Sequence, residues 1–281
     1  NIIKIVSRIP MDENQGYDVL GFIYEFLLKN FASNSKKDGE FYTPHEISIL
    51  MSEIVAHHLR DREQINILDP TSGSGSLLIN IGQSVQKYLQ DSGNITYYAQ
   101  ELIQETFNLT RMNLVMRGIN PSNIKVRRGD TLANDWPYFD DNDENSYEYV
   151  PVDCVVSNPP YSHKWDADNY TNDPRYKEYG IAPASKADYA FLLHDLYHLK
   201  DNGIMCIVMP HGVLFRGGSE KDIRTQLVEN NNIETIIGLP SNCFYGTGIS
   251  TIIMVLKKHR GASDILIVDA SKEFFKDGNK N

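Results

Sequence analysis

"INILDPTSGSGSLLIN", residues 65–80, decides the fold. An apolar run ends on Asp69, a turn carries Gly73 and Gly75, and apolar residues then recur at helical spacing. Strand, tight turn and helix in that order open a doubly wound α/β sheet, whose ligand lies beyond the carboxyl ends of its strands. Glycine lets backbone approach a ligand closely. The turn has no lysine, so it is not a phosphate-gripping P-loop, and Leu78 stands where a dinucleotide-binding turn has its third glycine.

The same alternation extends in both directions. Apolar runs at 96–101, 124–130, 152–157, 203–210, 233–239 and 250–258 join 65–69 as expected strands. Helical spacing marks 45–59, 76–89, 105–118, 186–199 and 221–230. The first strands are short and almost wholly apolar, as in a parallel sheet covered on both faces. Between the last two runs only "PSNCFYGTGI" intervenes, too short for a helical crossover, so they are expected to pair antiparallel. The expected fold is a doubly wound, Rossmann-like sheet of about seven strands, mostly parallel, with one antiparallel strand near the end. A helical segment precedes it: residues 17–32 read as one amphipathic helix. Residues 1–38 are taken as the end of an N-terminal helical region and 39–281 as one catalytic domain. The stretches 134–151 and 166–185 are polar, lack periodicity and read as surface loops.

Composition narrows the class. The chain has 281 residues, 41% hydrophobic and 23% charged, as in a soluble globular protein. No run is long enough for a membrane helix, and no secretion signal is visible. It begins at Asn1 rather than Met, as a segment of a longer protein would. Cys154, Cys206 and Cys243 are far apart and lack zinc spacing, so buried reduced thiols in the cytoplasm are expected. The net charge of −10 argues against gripping duplex DNA unaided, though not against a basic cleft or a basic partner.

Three acids fall at successive strand ends. Asp69 would repel a phosphate but can accept a hydrogen bond, Glu101 suits a ribose diol, and Asp130 can accept from an adenine amino group. That set suits a nucleoside carrying positive charge, and the inferred ligand is S-adenosylmethionine. Upstream, Thr43 is placed to cap the helix at 45–59 with Pro44 in its first turn, and a helix N-terminus attracts a carboxylate such as the methionine part offers.

"VDCVVSNPPYSHKW", residues 152–165, ends the fourth strand, which is expected beside the first where strand order reverses. Pro159 and Pro160 stop the ladder and hold an extended turn. The Asn158 side chain and the Pro159 carbonyl are two adjacent acceptors, a match for an –NH2 group, and Tyr161 offers a flat face for stacking. Acceptors on both amine hydrogens free the nitrogen lone pair, which can attack the activated methyl without metal or strong base.

Together these residues resemble the N6-adenine DNA methyltransferases, and more closely the modification (M) subunit of type I restriction–modification systems. The matching stretches include "GEFYTPHEI", "ILDPTSGSGSLL", "RRGDTL", "VVSNPPYS", "MPHGVLFRGGSEKDIRTQL" and "IIGLPSNCFYGTGISTIIMVLKK". The resemblance implies cofactor contacts from Glu40, Phe41, Tyr42, Thr43, Pro44 and His45, from Thr71, Ser72, Gly73 and Gly75, and from Asp69, Glu101 and Asp130. It implies that Asn158, Pro159, Pro160 and Tyr161 hold the target adenine and that Phe244 stacks on it. It further implies a bacterial or archaeal cytoplasmic enzyme that uses S-adenosylmethionine and no metal. The implied partners are DNA with a flipped adenine, a specificity (S) subunit, a second M subunit and a restriction (R) subunit, with no membrane. The 166–185 loop, with Arg175 and Lys177, becomes a candidate for DNA contact. Two alternatives stay open: methylation of a glutamine amide in a protein, which is also a planar –NH2 group, and a non-catalytic cofactor-binding domain.

Overall fold

The computed structural model describes residues 43–89, 94–136, 139–140, 143–147, 149–244 and 248–275. The helix expected at 17–32, and with it the 1–38 region, lies outside them. Five helices follow from the 3.6-residue apolar pattern: α1 (His45–Leu59), α2 (Ser76–Gln86), α3 (Gln104–Met116), α4 (Asp188–His198) and α5 (Ser219–Glu229). The strands are β1 (Ile65–Asp69), β2 (Ile95–Glu101), β3 (Ile124–Arg128), β4 (Phe139–Asp140), β5 (Asp143–Tyr147), β6 (Val152–Ser157), β7 (Leu199–Pro210), β8 (Ile233–Gly238), β9 (Thr251–Leu256) and β10 (Leu266–Asp269).

Eight strands form one sheet in the order β10-β8-β9-β7-β6-β1-β2-β3. β1 pairs in parallel with β2 on one side and with β6 on the other, Ile67 facing Cys154. The strand order therefore reverses between β1 and β6. β9 runs antiparallel to both β7 and β8, as the short connection requires. Every residue of β6 and of β9 is buried, which accounts for their largely apolar runs.

Two apolar layers cover the sheet. Ile67, Cys154 and Val156 pack with residues of α1, α2 and α3, while Leu68, Val155 and Met205 pack with α4 and α5. Alternate residues of one strand thus serve opposite faces.

Two expectations are corrected. The sheet has an eighth strand, β10, added in parallel to the edge of β8. The 134–151 stretch is not wholly loop, since β4 and β5 pair antiparallel within it.

Gly203 marks a tight point. The β6–β7 register shifts between Val152 and Cys154, and a Cβ on Gly203 would come 2.9 Å from the Asp153 carbonyl oxygen and 2.7 Å from Leu199 Cδ1. Gly203→Ala is expected to lower stability by about 1–3 kcal/mol. A urea midpoint shifted down at unchanged slope is the expected result, and an unchanged midpoint would refute it.

Candidate active site

The parallel pairing brings the carboxyl ends of β1, β2, β3 and β6 to one edge. Asp69 ends β1, Glu101 ends β2 and Asp130 follows β3 by two residues. In the β1–α2 turn, Gly73 (φ 53°) and Gly75 (φ 79°) are both left-handed, a conformation that disfavours a Cβ. Around Gly73 nothing among the described residues lies within 4 Å of where a Cβ would sit. Glu101 accepts from the N–H of Gly73 at 2.8 Å and of Ile103 at 2.9 Å. Asp69 accepts from Thr71 N–H at 3.0 Å, and Asp130 from Leu132 N–H at 2.9 Å. Thr71 Oγ1 is buried with no hydrogen-bond partner among the described residues.

The glycine turn is tied down by two residues the sequence reading missed. Thr110 Oγ1 donates to the Gly73 carbonyl at 2.8 Å, and Asn113 Nδ2 to the Ser74 carbonyl at 2.6 Å. Thr110 also bonds Ser72 Oγ at 3.1 Å. The available signal was that Thr110 and Asn113 share a helix face with Leu114, where an apolar pair would be ordinary.

At the end of β6, Asn158 is held from both sides. Its Nδ2 donates to Thr43 Oγ1 at 3.1 Å, and its Oδ1 accepts from the Tyr161 hydroxyl at 2.8 Å. A carboxamide oxygen has two lone pairs and is able to accept two hydrogens. Thr43 therefore does not cap α1. Pro44 stands at the N-cap, and the buried Thr43 hydroxyl serves Asn158 instead. His45 is exposed at the start of α1. Pro159 is buried and Pro160 exposed. Phe244 is 1% exposed and meets Tyr161 edge-on, ring centroids 6.2 Å apart, so in this conformation it backs the tyrosine rather than presenting a face of its own. Glu40, Phe41 and Tyr42 lie outside the described residues.

Burial sets the protonation states. Asp69 is fully buried, and desolvation outweighs its single N–H bond. The pKa is pushed up to about 8, with Glu101 adding repulsion. Behind Asn158, Ser157 Oγ donates to Asp195 at 2.5 Å. Burial drives the Asp195 carboxyl well above the usual range, opposed by Ser157 and reinforced by Asp69. Burial also raises the Tyr161 hydroxyl, with Asp188 adding to it, so Tyr161 is the donor in its bond to Asn158.

A sequence model of the N-6 DNA methylase family matches residues 15–281. The chain belongs to that family. It is 39% identical, over 100% of its length, to the type I restriction enzyme MpnII methylase subunit of Mycoplasma pneumoniae, covering 52% of that protein. It is 34% identical over 98% of its length to the MjaVIII methylase subunit of Methanocaldococcus jannaschii, covering 47% of it. The crystal structure of a type I restriction–modification methyltransferase subunit from Streptococcus thermophilus matches with TM-score 0.84 and 44% identity, over 96% of this chain and 55% of that one. The chain spans about half the length of the curated relatives it matches.

One expected role for this N-6 DNA methylase family member is overturned by burial. Arg175 is 3% exposed and cannot reach DNA from its place. It binds Asp173 through Nε at 3.0 Å and Nη2 at 2.7 Å, and donates to the carbonyls of Thr131 at 2.9 Å and Leu132 at 2.8 Å. It thereby fastens the 166–185 segment to the turn that carries Asp130. Arg175 also donates to His194 Nδ1 at 3.1 Å. Asp135, His194 and His198 hold ligand-type atoms within 4.8 Å of one another. Arg175 places a guanidinium beside this cluster through its bond to His194 Nδ1. Burial first, then His198 and Arg175, drive the His194 pKa well down. Lys177 is exposed.

Arg175→Met leaves the buried Thr131 and Leu132 carbonyls without this donor and Asp173 without its guanidinium partner. It is expected to destabilise the domain by about 3–5 kcal/mol in urea denaturation. A DNA-contacting arginine would instead leave stability unchanged.

Proposed function

We propose that this chain is the catalytic part of a modification subunit of a type I restriction–modification system, and that it transfers a methyl group from S-adenosylmethionine to N6 of adenine in a specific DNA sequence. The observation that carries the reading is the fixed Asn158 carboxamide at the sheet edge that also holds Asp69, Glu101 and Asp130. The reading assigns residues 39–281 to the catalytic domain, with 1–38 preceding it. Relatives named as methylase subunits of type I restriction enzymes support specificity, restriction and second modification subunits as partners, in the cytoplasm of a bacterium or archaeon.

The residues present fit the cofactor. The open backbone at Gly73 admits close approach, the buried Thr71 hydroxyl lacks a partner among the described residues, and three acids face a ligand that carries positive charge. Bound there, S-adenosylmethionine supplies a methyl group activated by its sulfonium. Glu101 would take the ribose, Asp130 the adenine amino group, and Asp69 with the α1 N-terminus the methionine end, where Glu40 to His45 lie close in sequence.

The chain's own work is on the target amine. Asn158 Oδ1 and the Pro159 carbonyl accept its hydrogens, which draws the nitrogen out of conjugation and frees its lone pair. Tyr161 stacks on the base with Phe244 behind it, and Pro160 keeps the turn extended. No metal is needed in this scheme, because positioning and hydrogen bonding act on a donor that is already activated.

Asn158→Ala is expected to lower methyl transfer roughly 100- to 1,000-fold, the loss typical of removing one preorganised hydrogen-bonding group, with cofactor affinity kept. Tritiated methyl incorporation into DNA by the full-length chain with its partner subunits reads this out. Label appearing in protein rather than DNA would refute the adenine reading.

The raised Asp69 pKa gives a second test. The folded state holds this proton up to about pH 8 while the unfolded chain releases it near 3.8, so this group's contribution to stability falls as pH rises between those values. A bound cation favours the carboxylate, so cofactor binding at pH 7 is expected to release close to one proton. Calorimetry in buffers of different ionisation enthalpy measures it, and Asp69→Asn should abolish the buffer dependence. Equal enthalpies for the unsubstituted protein would contradict it.

A further inference from the structure

β7 leaves the sheet at Pro210, at the edge where β6 delivers Asn158, and passes through the turn His211–Leu214 to Phe215. Phe215 is 69% exposed. A lone apolar residue in water is ordinary, but this one is held in place. His211 meets its ring edge-on with centroids 5.6 Å apart, and His211 N–H donates to the Ser250 carbonyl at 2.9 Å. The Val213 carbonyl accepts from the Tyr189 hydroxyl at 2.9 Å and from Arg224 at 2.8 Å, and Arg224 also reaches the Arg216 carbonyl at 3.2 Å.

The next residue makes the decisive link. Arg216 donates to Asp188 Oδ2 at 2.9 Å and pairs with Glu220 at 3.1 Å. Asp188 is 2% exposed, and its other oxygen accepts from Ser162 N–H at 2.8 Å. Ser162 follows Tyr161 directly and is left-handed, with φ 54°. One buried carboxylate therefore carries the catalytic turn on one oxygen and the Phe215 turn on the other. Asp188 thereby ties the turn that carries Asn158 to the turn that carries the exposed ring. Past the ring, no described residue lies within 4 Å of where a Cβ on Gly217 or Gly218 would sit, which leaves room for a phosphate backbone, and the exposed His163 and Lys164 follow Ser162.

We propose that Phe215 is an apolar wedge that enters the DNA base stack when the target adenine leaves it. The proposal rests on the reading of the preceding subsection, in which the substrate amine is paired inside a duplex. That amine can be reached only after the base is extruded. Extrusion leaves a gap, and an apolar ring inserted between base steps stabilises the opened state. The ring must stand at a set distance from the site that receives the base. A shared buried anchor supplies that, whereas a ring on a loose loop would not.

The test compares two duplexes that carry the target sequence, found beforehand by mapping methylated adenines in host DNA. In one the target adenine is paired. In the other the nucleotide opposite it is abasic, so the base is already released. With the full-length chain and its partner subunits, Phe215→Ala is expected to lose at least about tenfold in methyl transfer on the paired duplex while staying within about twofold of the unsubstituted complex on the abasic one. Phe215→Trp should keep activity on both. Equal loss on both duplexes, as an aromatic packed against another part of the protein would give, overturns the wedge, and so does no loss on either. If the unsubstituted complex methylates adenine in neither duplex, the reading beneath the proposal falls and the wedge with it.

Discussion

Parallel pairing of β1 with β6 is the contact on which the site depends. Ile67 lies against Cys154 and Leu68 against Val155, both strands run the same way, and strand order turns back at this pair. Helices therefore leave in opposite directions from neighbouring strand ends, and a crevice opens between the two connections. The glycine turn after Asp69 forms one wall and the Asn-Pro-Pro-Tyr turn the other. A one-residue slip in this register would exchange the two buried faces of β6 and carry Asn158 away from Thr43. Because both faces are packed, such a slip is strongly disfavoured, and the sheet's apolar core sets the position of a polar amide.

Around that crevice, several buried polar groups are bonded to one another in sets. Asp188 holds two turns, Arg175 holds three segments of backbone and side chain, and Thr43 holds Asn158. Burial makes each set all-or-none: with one partner gone, the rest keeps its desolvation penalty and loses its compensation. Asp69 is fully buried with one N–H bond, and burial pushes its pKa up to about 8, as burial also raises that of Asp195. Under the proposed function Asp69 meets a ligand, while Asp188 holds the frame.

Elements and motifs could be read from the sequence because their causes are local. α1 begins and ends where its apolar spacing says, and the two-residue period and apolar runs placed seven of the eight sheet strands. Failures came where a long-range partner outweighed a local rule. Thr43 before a proline fits a helix cap, yet its hydroxyl faces Asn158, a residue 115 positions away. Arg175 in a polar stretch reads as surface, but carbonyls more than 40 positions back draw it inside. β10 is a four-residue edge strand whose side chains are exposed, so its short apolar run carries no alternation to detect. Phe244 is a residue of the same kind: only the fold shows that it lies behind Tyr161.

The pairing of cations also bears on how an acidic chain could act on a polyanion. Net charge is −10, and two arginines bonded to the turns of this edge are already committed, Arg175 to Asp173 and Arg216 to Asp188 and Glu220. A guanidinium neutralised by a buried carboxylate releases few counterions from a duplex, and counterion release dominates nonspecific DNA affinity. Under the proposed function this surface therefore contributes shape, stacking and hydrogen bonds, while a basic surface elsewhere in the complex contributes most of the salt-dependent attraction. Division of labour of that kind follows from the charge placement itself. Freeing Arg216 to grip a phosphate would leave Asp188 buried without its cation and would loosen both turns that Asp188 holds.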